Sequence, residues 1–221
     1  MSTVAFTLVC GAAPMPGAGA FYSALLMDAA HVVAADGAAE WCVAHGRRPD
    51  VAVGDFDSAL PGAAERLVSA GVEVLTYPRE KDETDLEIAL DVALQRSTQP
   101  VVITAAFTER IDHTLAALGV LMRAGSGARV EEPDWTGAVV RPGEPLEVPV
   151  GAGVAFSVIA PGGASGVEVA GARWPLSGAV LDPLSGRGVS NVTSGEILRV
   201  SAEKGTLIVL IRRASGRSYT R

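Results

Sequence analysis

Six aspartates in the first 128 residues lie near the ends of short apolar runs, where carboxylates are available for chemistry. They are Asp36, Asp55, Asp57, Asp82, Asp85 and Asp112. Carboxylates held close together raise one another's pKa unless a cation neutralises them. Oxygen ligands with few His or Cys nearby suit Mg²⁺, which keeps several waters and bridges to substrate phosphates. If these aspartates meet in space, their types and spacing favour a metal–phosphate site.

Two basic residues accompany the aspartates. Lys81 precedes Asp82 and offers a point charge to a polyphosphate, and Arg110 precedes Asp112 and offers a planar fork of donors. The sequence contains no Gly-x-x-x-x-Gly-Lys-Ser/Thr loop, which excludes a Walker-type nucleotide fold. Any phosphate must therefore be held by other loops.

A purely structural explanation exists for each polar residue taken alone. Asp and Thr after a strand are ordinary helix N-caps, and Thr84 or Asp82 with Glu87 forms the pattern of a capping box. Arg110 alone is compatible with a surface position, and His113 with a capped or core histidine. Carboxylates after four successive apolar runs are harder to explain by capping, and the coincidence favours the metal–phosphate site.

The first half of the chain alternates short β-rich runs with helical patterns. The predicted strands are Val4–Val9, His31–Ala35, Asp50–Val53, Val72–Thr76 and Val101–Thr104. The predicted helices are Phe21–Met27, Ala38–His45, Gly62–Ala70, Thr84–Arg96 and Asp112–Arg123. Such alternation predicts a Rossmann-like parallel sheet with helices on both faces. Because the carboxyl ends of parallel strands share one edge, where ligands bind, the aspartates are expected to converge there.

The second half of the chain has a different texture. Short apolar runs are separated by turns rich in Gly, Pro and Ser, and no long helical pattern is present. This pattern predicts an antiparallel β-sandwich or barrel, and we favour the sandwich. We therefore expect an α/β class followed by an all-β class, with an α/β catalytic domain over residues 1–128 and a β-sandwich domain over residues 129–221.

The charge distribution excludes some functions. Residues 1–128 carry 16 acidic and 8 basic side chains, and residues 129–221 carry 9 and 10, so the net charge of −7 belongs to the first half. No basic face for a nucleic acid is expected from such a chain. Uncharged stretches are interrupted by Gly and Pro, which argues against a membrane span. Cys10 and Cys42 are too few for a disulfide framework and are expected to be buried thiols of a cytoplasmic protein.

The motifs taken together resemble the thiamin pyrophosphokinase family. The segments that carry the resemblance are Ala35-Asp36-Gly37-Ala38-Ala39-Glu40, Pro49-Asp50, Gly54-Asp55-Phe56-Asp57-Ser58, Lys81-Asp82-Glu83-Thr84-Asp85, Thr108-Glu109-Arg110-Ile111-Asp112-His113, Trp174-Pro175-Leu176 and Gly188-Val189-Ser190-Asn191. The chain departs from the family pattern at Glu40, where Asn is usual, and at Thr108-Glu109, which replace a pair of glycines.

The resemblance implies transfer of the pyrophosphoryl group of ATP to the hydroxyethyl oxygen of thiamin, giving thiamin diphosphate and AMP. It implies Mg²⁺ on Asp55, Asp57 and Asp85. It assigns the nucleotide to Asp36, Gly37, Lys81, Thr84, Arg110 and His113. It assigns catalysis to Asp57, Asp85, Arg110 and Asp112, the last to orient or deprotonate the alcohol. It assigns thiamin to Trp174, Ser190 and Asn191, in a site completed across a homodimer.

Other functions remain open at this point. Asp55 could serve as the covalent nucleophile of a Mg²⁺-dependent phosphohydrolase, because some Asp-x-Asp phosphatases use that chemistry. A related pyrophosphokinase acting on a pterin alcohol is a second alternative. A thiamin- or nucleotide-binding module without turnover is a third, suggested by the residues that replace the glycines before Arg110. Trp174 as a core residue, and Ser190 and Asn191 as plain turn residues, are the structural alternatives in the second half.

Overall fold

The computed structural model describes residues 5–56, 62–125 and 127–213. The chain divides into two units, Met1–Pro133 and Asp134–Arg221. The division follows Pro133 and not residue 128, because a short strand at Arg129–Glu131 pairs with the sheet of the first unit.

The first unit contains six parallel strands and five helices among its described residues. The strands are β1 (Thr7–Cys10), β2 (His31–Ala35), β3 (Val51–Gly54), β4 (Glu73–Thr76), β5 (Val101–Thr104) and β6 (Arg129–Glu131). The helices are α1 (Gly19–Asp28), α2 (Ala38–Ala44), α3 (Ala63–Ser69), α4 (Asp85–Arg96) and α5 (Ile111–Arg123). The strand order is β6-β5-β1-β2-β3-β4, and every neighbouring pair is parallel.

This strand order places a topological switch point beside β1. The chain adds β2, β3 and β4 on one side of β1, and after α4 it returns to add β5 on the other side. Loops that leave β1 and β5 at their carboxyl ends therefore diverge and leave a crevice, which is where open parallel sheets bind ligands.

The apolar runs form strands here because burial suits their lack of polar side chains. All four residues of β1, β3 and β5 are buried, whereas the edge strand β4 is partly exposed. Side chains on one face of the sheet share a core with α1, α2 and α3, including Leu26, Cys42 and Leu67. Cys10 and Cys42 are both buried free thiols, as the sequence predicts, and burial raises the pKa of Cys10 well above its usual range.

The second unit is antiparallel, and its described residues hold no α-helix, only a 3₁₀ turn at Gly186–Gly188. Its strands are β7 (Trp135–Val140), β8 (Leu146–Pro149), β9 (Ala155–Ile159), β10 (Ala164–Ala170), β11 (Leu176–Leu181), β12 (Asn191–Val192), β13 (Ile197–Ser201), β14 (Lys204–Gly205) and β15 (Leu207–Arg212). They pair in the orders β12-β9-β15-β7 and β11-β10-β13-β8, with β14 beside β10. Phe156 of one sheet and Leu198 of the other belong to one apolar core.

Across residues 5–56, 62–125 and 127–213, no helix is long and apolar enough to cross a membrane.

Candidate active site

A cavity of about 650 Å³ opens at the carboxyl ends of the parallel strands. Six of the residues proposed for nucleotide and catalysis line it: Asp36, Lys81, Thr84, Asp85, Arg110 and His113. They come from the loops that follow β2, β4 and β5 and from the first turns of α4 and α5. The sheet therefore brings together residues that are far apart in sequence, as expected for the crevice at a switch point.

Lys81 lies between two of the carboxylates proposed as metal ligands. Its Nζ atom is 3.1 Å from Oδ1 of Asp85 and 3.7 Å from Oδ2 of Asp55. The side chain of Lys81 is 12% exposed and that of Asp55 is 14% exposed, so water screens the contacts weakly. The ammonium group thus neutralises part of the charge that a bound metal would otherwise neutralise.

The pKa shifts reflect this crowding of charge. Burial raises the pKa of Asp85, Lys81 opposes the rise, and the nearby negative charges of Asp36 and Asp55 add to it. Desolvation lowers the pKa of Lys81, but the ion pairs with Asp85 and Asp55 outweigh it and raise the pKa overall. Such mutual perturbation of clustered groups is typical of functional sites.

The backbone around Asp36 is held in an uncommon conformation. Asp36 has φ +46°, its N–H donates to Val53 O at 2.7 Å, and a Cβ added at Gly54 would lie 3.1 Å from the Cα of Asp36. Gly54 itself has φ +153°, in the region where L side chains are strained. The ends of β2 and β3 approach closely because position 54 carries no side chain, and this places Asp36 and Asp55 on neighbouring loops.

Thr84 caps the helix that carries Asp85. Its Oγ1 accepts the N–H of Glu87, and its own N–H donates to Glu87 Oε2 at 2.9 Å, which completes a capping box. Asp82 is exposed and does not cap this helix. The hydroxyl of Thr84 therefore caps α4, and the N-terminal turn of α4 presents Asp85 to the cavity.

Arg110 lines the cavity, but Asp112 does not. Asp112 is 64% exposed and accepts a hydrogen bond from Nε of Arg110 at 3.2 Å, and this pairing lowers the pKa of the carboxyl. A lowered pKa makes a carboxylate a weaker base, which disfavours the deprotonating role assigned to Asp112. Thr108, one of the residues that replace the family's glycines, accepts the Arg110 N–H on its hydroxyl at 2.9 Å and so shapes the turn before Arg110.

Two other predicted site residues, Gly37 and Asp57, and the departure at Glu40 do not contribute to the described cavity. Gly37 is the N-cap residue of α2 and does not line the cavity. Glu40 forms a surface salt bridge with Arg66 of α3, with 3.0 Å between Oε1 of Glu40 and Nη2 of Arg66. Asp57, assigned to metal binding and catalysis, lies outside the described residues.

The sequence reading missed much of the cavity wall. Gly11, Ala12 and Ala13 line it after β1, and Ala105 and Ala106 line it after β5. Small apolar residues carry no chemical signal of their own, but their place after the two strands of the switch point would have identified them. Arg79 adds a further cation to the wall and was not singled out.

The donor set fits a hard divalent cation. Asp55 and Asp85 offer carboxylate oxygens around the same ammonium group, and oxygen-only ligands are the set that Mg²⁺ prefers. Among the described residues no group of three His, Cys, Asp or Glu side chains is close enough to hold a metal ion. Asp57, the third proposed ligand, is not among those residues.

The second unit brings two of the three proposed thiamin residues together. Asn191 is 7% exposed, and its Nδ2 donates to Trp174 O at 2.7 Å while its Oδ1 accepts Trp174 N–H at 3.2 Å. Trp174 is 54% exposed, and the guanidinium of Arg173 lies 4.9 Å from its ring centroid. Ser190 is exposed, with φ +60° and its N–H donating to Ser157 Oγ. The core alternative for Trp174 is therefore wrong, and Asn191 fixes the backbone that presents the indole.

The fold and the site of the first unit define a class of protein: a parallel α/β unit with a cavity at its switch point where acidic and basic side chains meet. A family model described as "Thiamin pyrophosphokinase, catalytic domain" matches residues 22–131. The chain belongs to the thiamin pyrophosphokinase family.

Individual relatives agree with this membership. The chain is 36% identical over 75 residues to "Thiamine pyrophosphokinase" of Bacillus subtilis (strain 168), a match that spans 34% of this chain and 35% of the relative. A solved thiamin pyrophosphokinase of Geobacillus thermodenitrificans is 25% identical with a TM-score of 0.77, over 95% of this chain and 98% of that one. A thiamin pyrophosphokinase family protein of Enterococcus faecalis shares the fold, with a TM-score of 0.81 at 20% identity over 96% and 100% of the two chains.

Proposed function

We propose that this chain transfers the pyrophosphoryl group of ATP to thiamin, giving thiamin diphosphate and AMP. The observation that carries the proposal is the cluster of Asp55, Lys81 and Asp85, in a unit that matches the family's catalytic domain. Lys81 and Asp85 of this cluster line a cavity of about 650 Å³. A cavity of that size accommodates a nucleotide-sized ligand.

The acidic and basic residues of the site are proposed to bind different groups. Asp55 and Asp85, together with Asp57, would hold Mg²⁺, which when bound neutralises negative charge on the polyphosphate. Lys81, Arg79 and Arg110 face the cavity and are placed to contact phosphate oxygens. The first turn of α4 adds main-chain N–H groups near the same position. His113 lines the wall and Gly37 lies one residue beyond Asp36, and both are retained as nucleotide positions.

The weak basicity of Asp112 changes its proposed role. Because its carboxylate pairs with Arg110, it orients the guanidinium toward the cavity and does not remove the alcohol proton. Attack of the hydroxyethyl oxygen on the β-phosphorus then depends mainly on positioning and on stabilisation of charge, as in other phosphoryl transfers.

We assign the nucleotide to the first unit, which we take to be Rossmann-like. We assign thiamin to the second unit, which we take to be a β-sandwich. The exposed indole of Trp174 is suited to stack on the thiazolium cation, a contact worth about 0.5–2 kcal/mol. Ser190 offers a hydroxyl nearby in sequence, and Asn191 acts through Trp174. We further propose a homodimer whose partner completes the thiamin site, in the cytoplasm, where free thiols such as Cys10 persist.

The proposal is tested by incubating the protein with ATP, Mg²⁺ and thiamin and separating the products. Equal amounts of AMP and thiamin diphosphate support it. Free phosphate that forms without thiamin would indicate a phosphohydrolase instead, and a pterin alcohol in place of thiamin tests the related pyrophosphokinase. Binding without any product would indicate a non-catalytic module.

A pair of variants ties the activity to the described site. Asp85→Asn removes one proposed metal ligand and is expected to lower kcat at least about a hundredfold, because charge-stabilising groups contribute that much in other enzymes. Asp91→Asn, on the same helix but paired with Arg123 at the surface, removes the same charge and should retain full activity. Equal activity of the two variants would contradict the assignment of Asp85.

A further inference from the structure

Glu132 is a buried carboxyl that follows β6 and lies behind the cavity wall. It is 4% exposed, and it does not itself line the cavity. Buried carboxyl groups are costly unless they are hydrogen-bonded, so its partners indicate why the chain places an acid here.

The hydrogen bonds of Glu132 lead to the two loops of the switch point, which we define as residues 11–15 after β1 and residues 105–108 after β5. Oε1 of Glu132 accepts the N–H of Ala106 at 2.9 Å. Oε2 accepts the hydroxyl of Tyr22 at 3.3 Å, and that hydroxyl accepts the N–H of Met15 at 2.9 Å. One carboxyl group is thus bonded directly to one switch-point loop and, through Tyr22, to the other.

The switch-point loops are also joined to each other. Ala13 N–H donates to Ala105 O at 2.9 Å, and Gly11 N–H donates to Thr104 O at 2.8 Å. Ala105 has φ +52°, a left-handed conformation that costs about 1 kcal/mol or more and persists only where surrounding contacts hold it. The hydrogen bond from Ala106 to Glu132 is one of the contacts that hold it. A Cβ at Gly11 would lie 2.4 Å from Ala105 O, so the two loops can approach this closely only because position 11 carries no side chain.

We propose that Glu132 is a positioning residue for the nucleotide, because its carboxyl fixes both switch-point loops in the form that makes the cavity wall. It contacts no substrate and acts through Ala106, Tyr22 and Met15. The inference rests on the proposed function, since it takes the ligand of this cavity to be a nucleoside triphosphate.

The ionisation of Glu132 adds a measurable signature. Burial raises the pKa of this carboxyl to about 7, against the lowering effect of the amides of Ala106, Phe107 and Ala105 and of the Tyr22 hydroxyl. The groups facing it are Tyr22 of α1 and Cys10 of β1, and burial raises the pKa of both, so both are neutral near pH 7. Further titratable or charged groups near these partners are Cys42 and Arg47, which interact with Cys10, and His45, whose ring is 6.3 Å from that of Tyr22.

The test compares Glu132→Gln, Glu132→Ala and Tyr22→Phe with Glu73→Gln. Glu73 pairs with Arg96 at the surface, so its replacement removes the same charge away from the cavity. The measurements are amide hydrogen exchange of the free protein, calorimetric affinity for a non-hydrolysable Mg·ATP analogue, and KM for thiamin. Affinity is measured at pH 6, 7 and 8, also in a His45→Gln variant that assigns any pH effect.

Glu132→Ala is expected to weaken analogue binding about tenfold and to speed exchange at Met15 and Ala106, with KM for thiamin within about twofold of wild type. Tyr22→Phe should speed exchange at Met15 and leave Ala106 protected. Glu132→Gln keeps the shape and should bind within about threefold of wild type at pH 7. Between pH 6 and 8 its affinity should change less than that of wild type and of His45→Gln, because the amide that replaces the carboxyl carries no proton to lose.

Two results separate the possible failures. If the wild type binds the analogue and Glu132→Gln and Tyr22→Phe match it in affinity, pH dependence and exchange, the positioning role is overturned, even where Glu132→Ala does not fold. If the wild type binds no analogue at all, the proposed function fails, and the cavity takes a different ligand.

Discussion

At the scale of single residues, Lys81 lies between Asp55 and Asp85 and neutralises part of their negative charge, as a divalent cation would also do. In the proposed function, a metal ion on Asp55 and Asp85 would compete with the ammonium group for the charge of these two carboxylates. A nucleotide phosphate would offer the ammonium group an alternative partner. We therefore expect metal affinity to depend on the presence of the nucleotide.

Replacing Lys81 by Met tests that competition. Loss of the ammonium leaves two mostly buried carboxylates facing each other, so we expect Lys81→Met to lose about 2 kcal/mol of stability, or about 5 °C in Tm, without Mg²⁺. Millimolar Mg²⁺ without nucleotide should then restore part of the loss, whereas it should barely affect the wild type. Lys204→Met is the matched control, because Lys204 is the other lysine and is exposed. A variant as stable as wild type, with no response to Mg²⁺, would contradict this account.

Glu132 predicts a pH dependence of stability whose sign is unusual for a paired acid. Its pKa is about 7 when folded and near 4.5 when exposed, so between these values the folded protein holds the extra proton. The free energy of unfolding therefore falls as pH rises from about 4.5 to about 7. The difference between the two pKa values corresponds to a change of about 3 kcal/mol at most in the free energy of unfolding.

Denaturant unfolding at pH 5 and pH 8 checks this sign. We take the free energy of unfolding of Glu132→Gln minus that of wild type. This difference should be larger at pH 8 than at pH 5, by up to about 3 kcal/mol. Glu73→Gln should show no such gain, because the hydrogen bond from Arg96 lowers the pKa of Glu73 and that group stays ionised across the range. A flat difference between wild type and Glu132→Gln would show that this carboxyl keeps an ordinary pKa.

At the scale of elements, α4 links the fold to the site. The capping box formed by Thr84 and Glu87 fixes where the helix begins, and the residue that follows Thr84 is Asp85. The buried side chains of α4, among them Leu90 and Ala93, anchor it in the first unit. The chain leaves α4 toward β5, on the far side of β1, and so this helix creates the switch point as well as one wall of the cavity.

Thr84 therefore controls both stability and geometry. Thr84→Ala should lose about 1 kcal/mol of stability, the usual cost of an N-cap hydroxyl. It should also lower kcat/KM more than that loss explains, because Asp85 and Lys81 shift with the frayed turn. Thr84→Ser keeps the hydroxyl and should restore both quantities. Chemical unfolding and steady-state kinetics on the two variants separate the effects, and an equally inactive Thr84→Ser would assign the methyl group a role instead.

The sequence predicted the first unit better than its cavity. The runs His31–Ala35 and Val101–Thr104 are strands β2 and β5 with the predicted bounds, because burial of parallel strands leaves continuous apolar runs. β6 was missed, since a strand of three residues is too short to show a periodic pattern. Glu132 could not be identified from sequence, because only the tertiary structure buries it against Tyr22 and Ala106.

At the scale of the whole molecule, the uneven charge of the sequence corresponds to the division of the chain. The acidic excess belongs to the part with the carboxylate cluster, which gains from a cation, and the second unit is nearly neutral. The second unit exposes large apolar side chains, including Trp174, Val180 and Leu184, and the first unit does so as well, for example at Ile111 and Leu115. In the proposed homodimer, a partner subunit would cover some of these exposed side chains.

Mixing two impaired variants tests whether the site is shared between subunits. Asp85→Asn removes a proposed metal ligand of the first unit, and Trp174→Ala removes the proposed thiamin contact of the second. At low thiamin the Asp85→Asn homodimer should lose activity at least about a hundredfold, and the Trp174→Ala homodimer about two- to thirtyfold. If each site takes its first unit from one chain and its second unit from the partner, a mixed dimer contains one intact site and one doubly defective site. Random reassortment makes about half of the dimers mixed, so about a quarter of wild-type activity should return.

Co-expression with two tags isolates the mixed dimer and doubles the expected value, to about half of wild-type activity per dimer. The mass of the assembly in solution, measured by light scattering, shows whether a dimer forms at all. A dimer whose mixed form stays inactive would place both units of one site in the same chain. The residual rates of the two homodimers are measured separately and subtracted, because only the mixed dimer can contain an intact site and so exceed them.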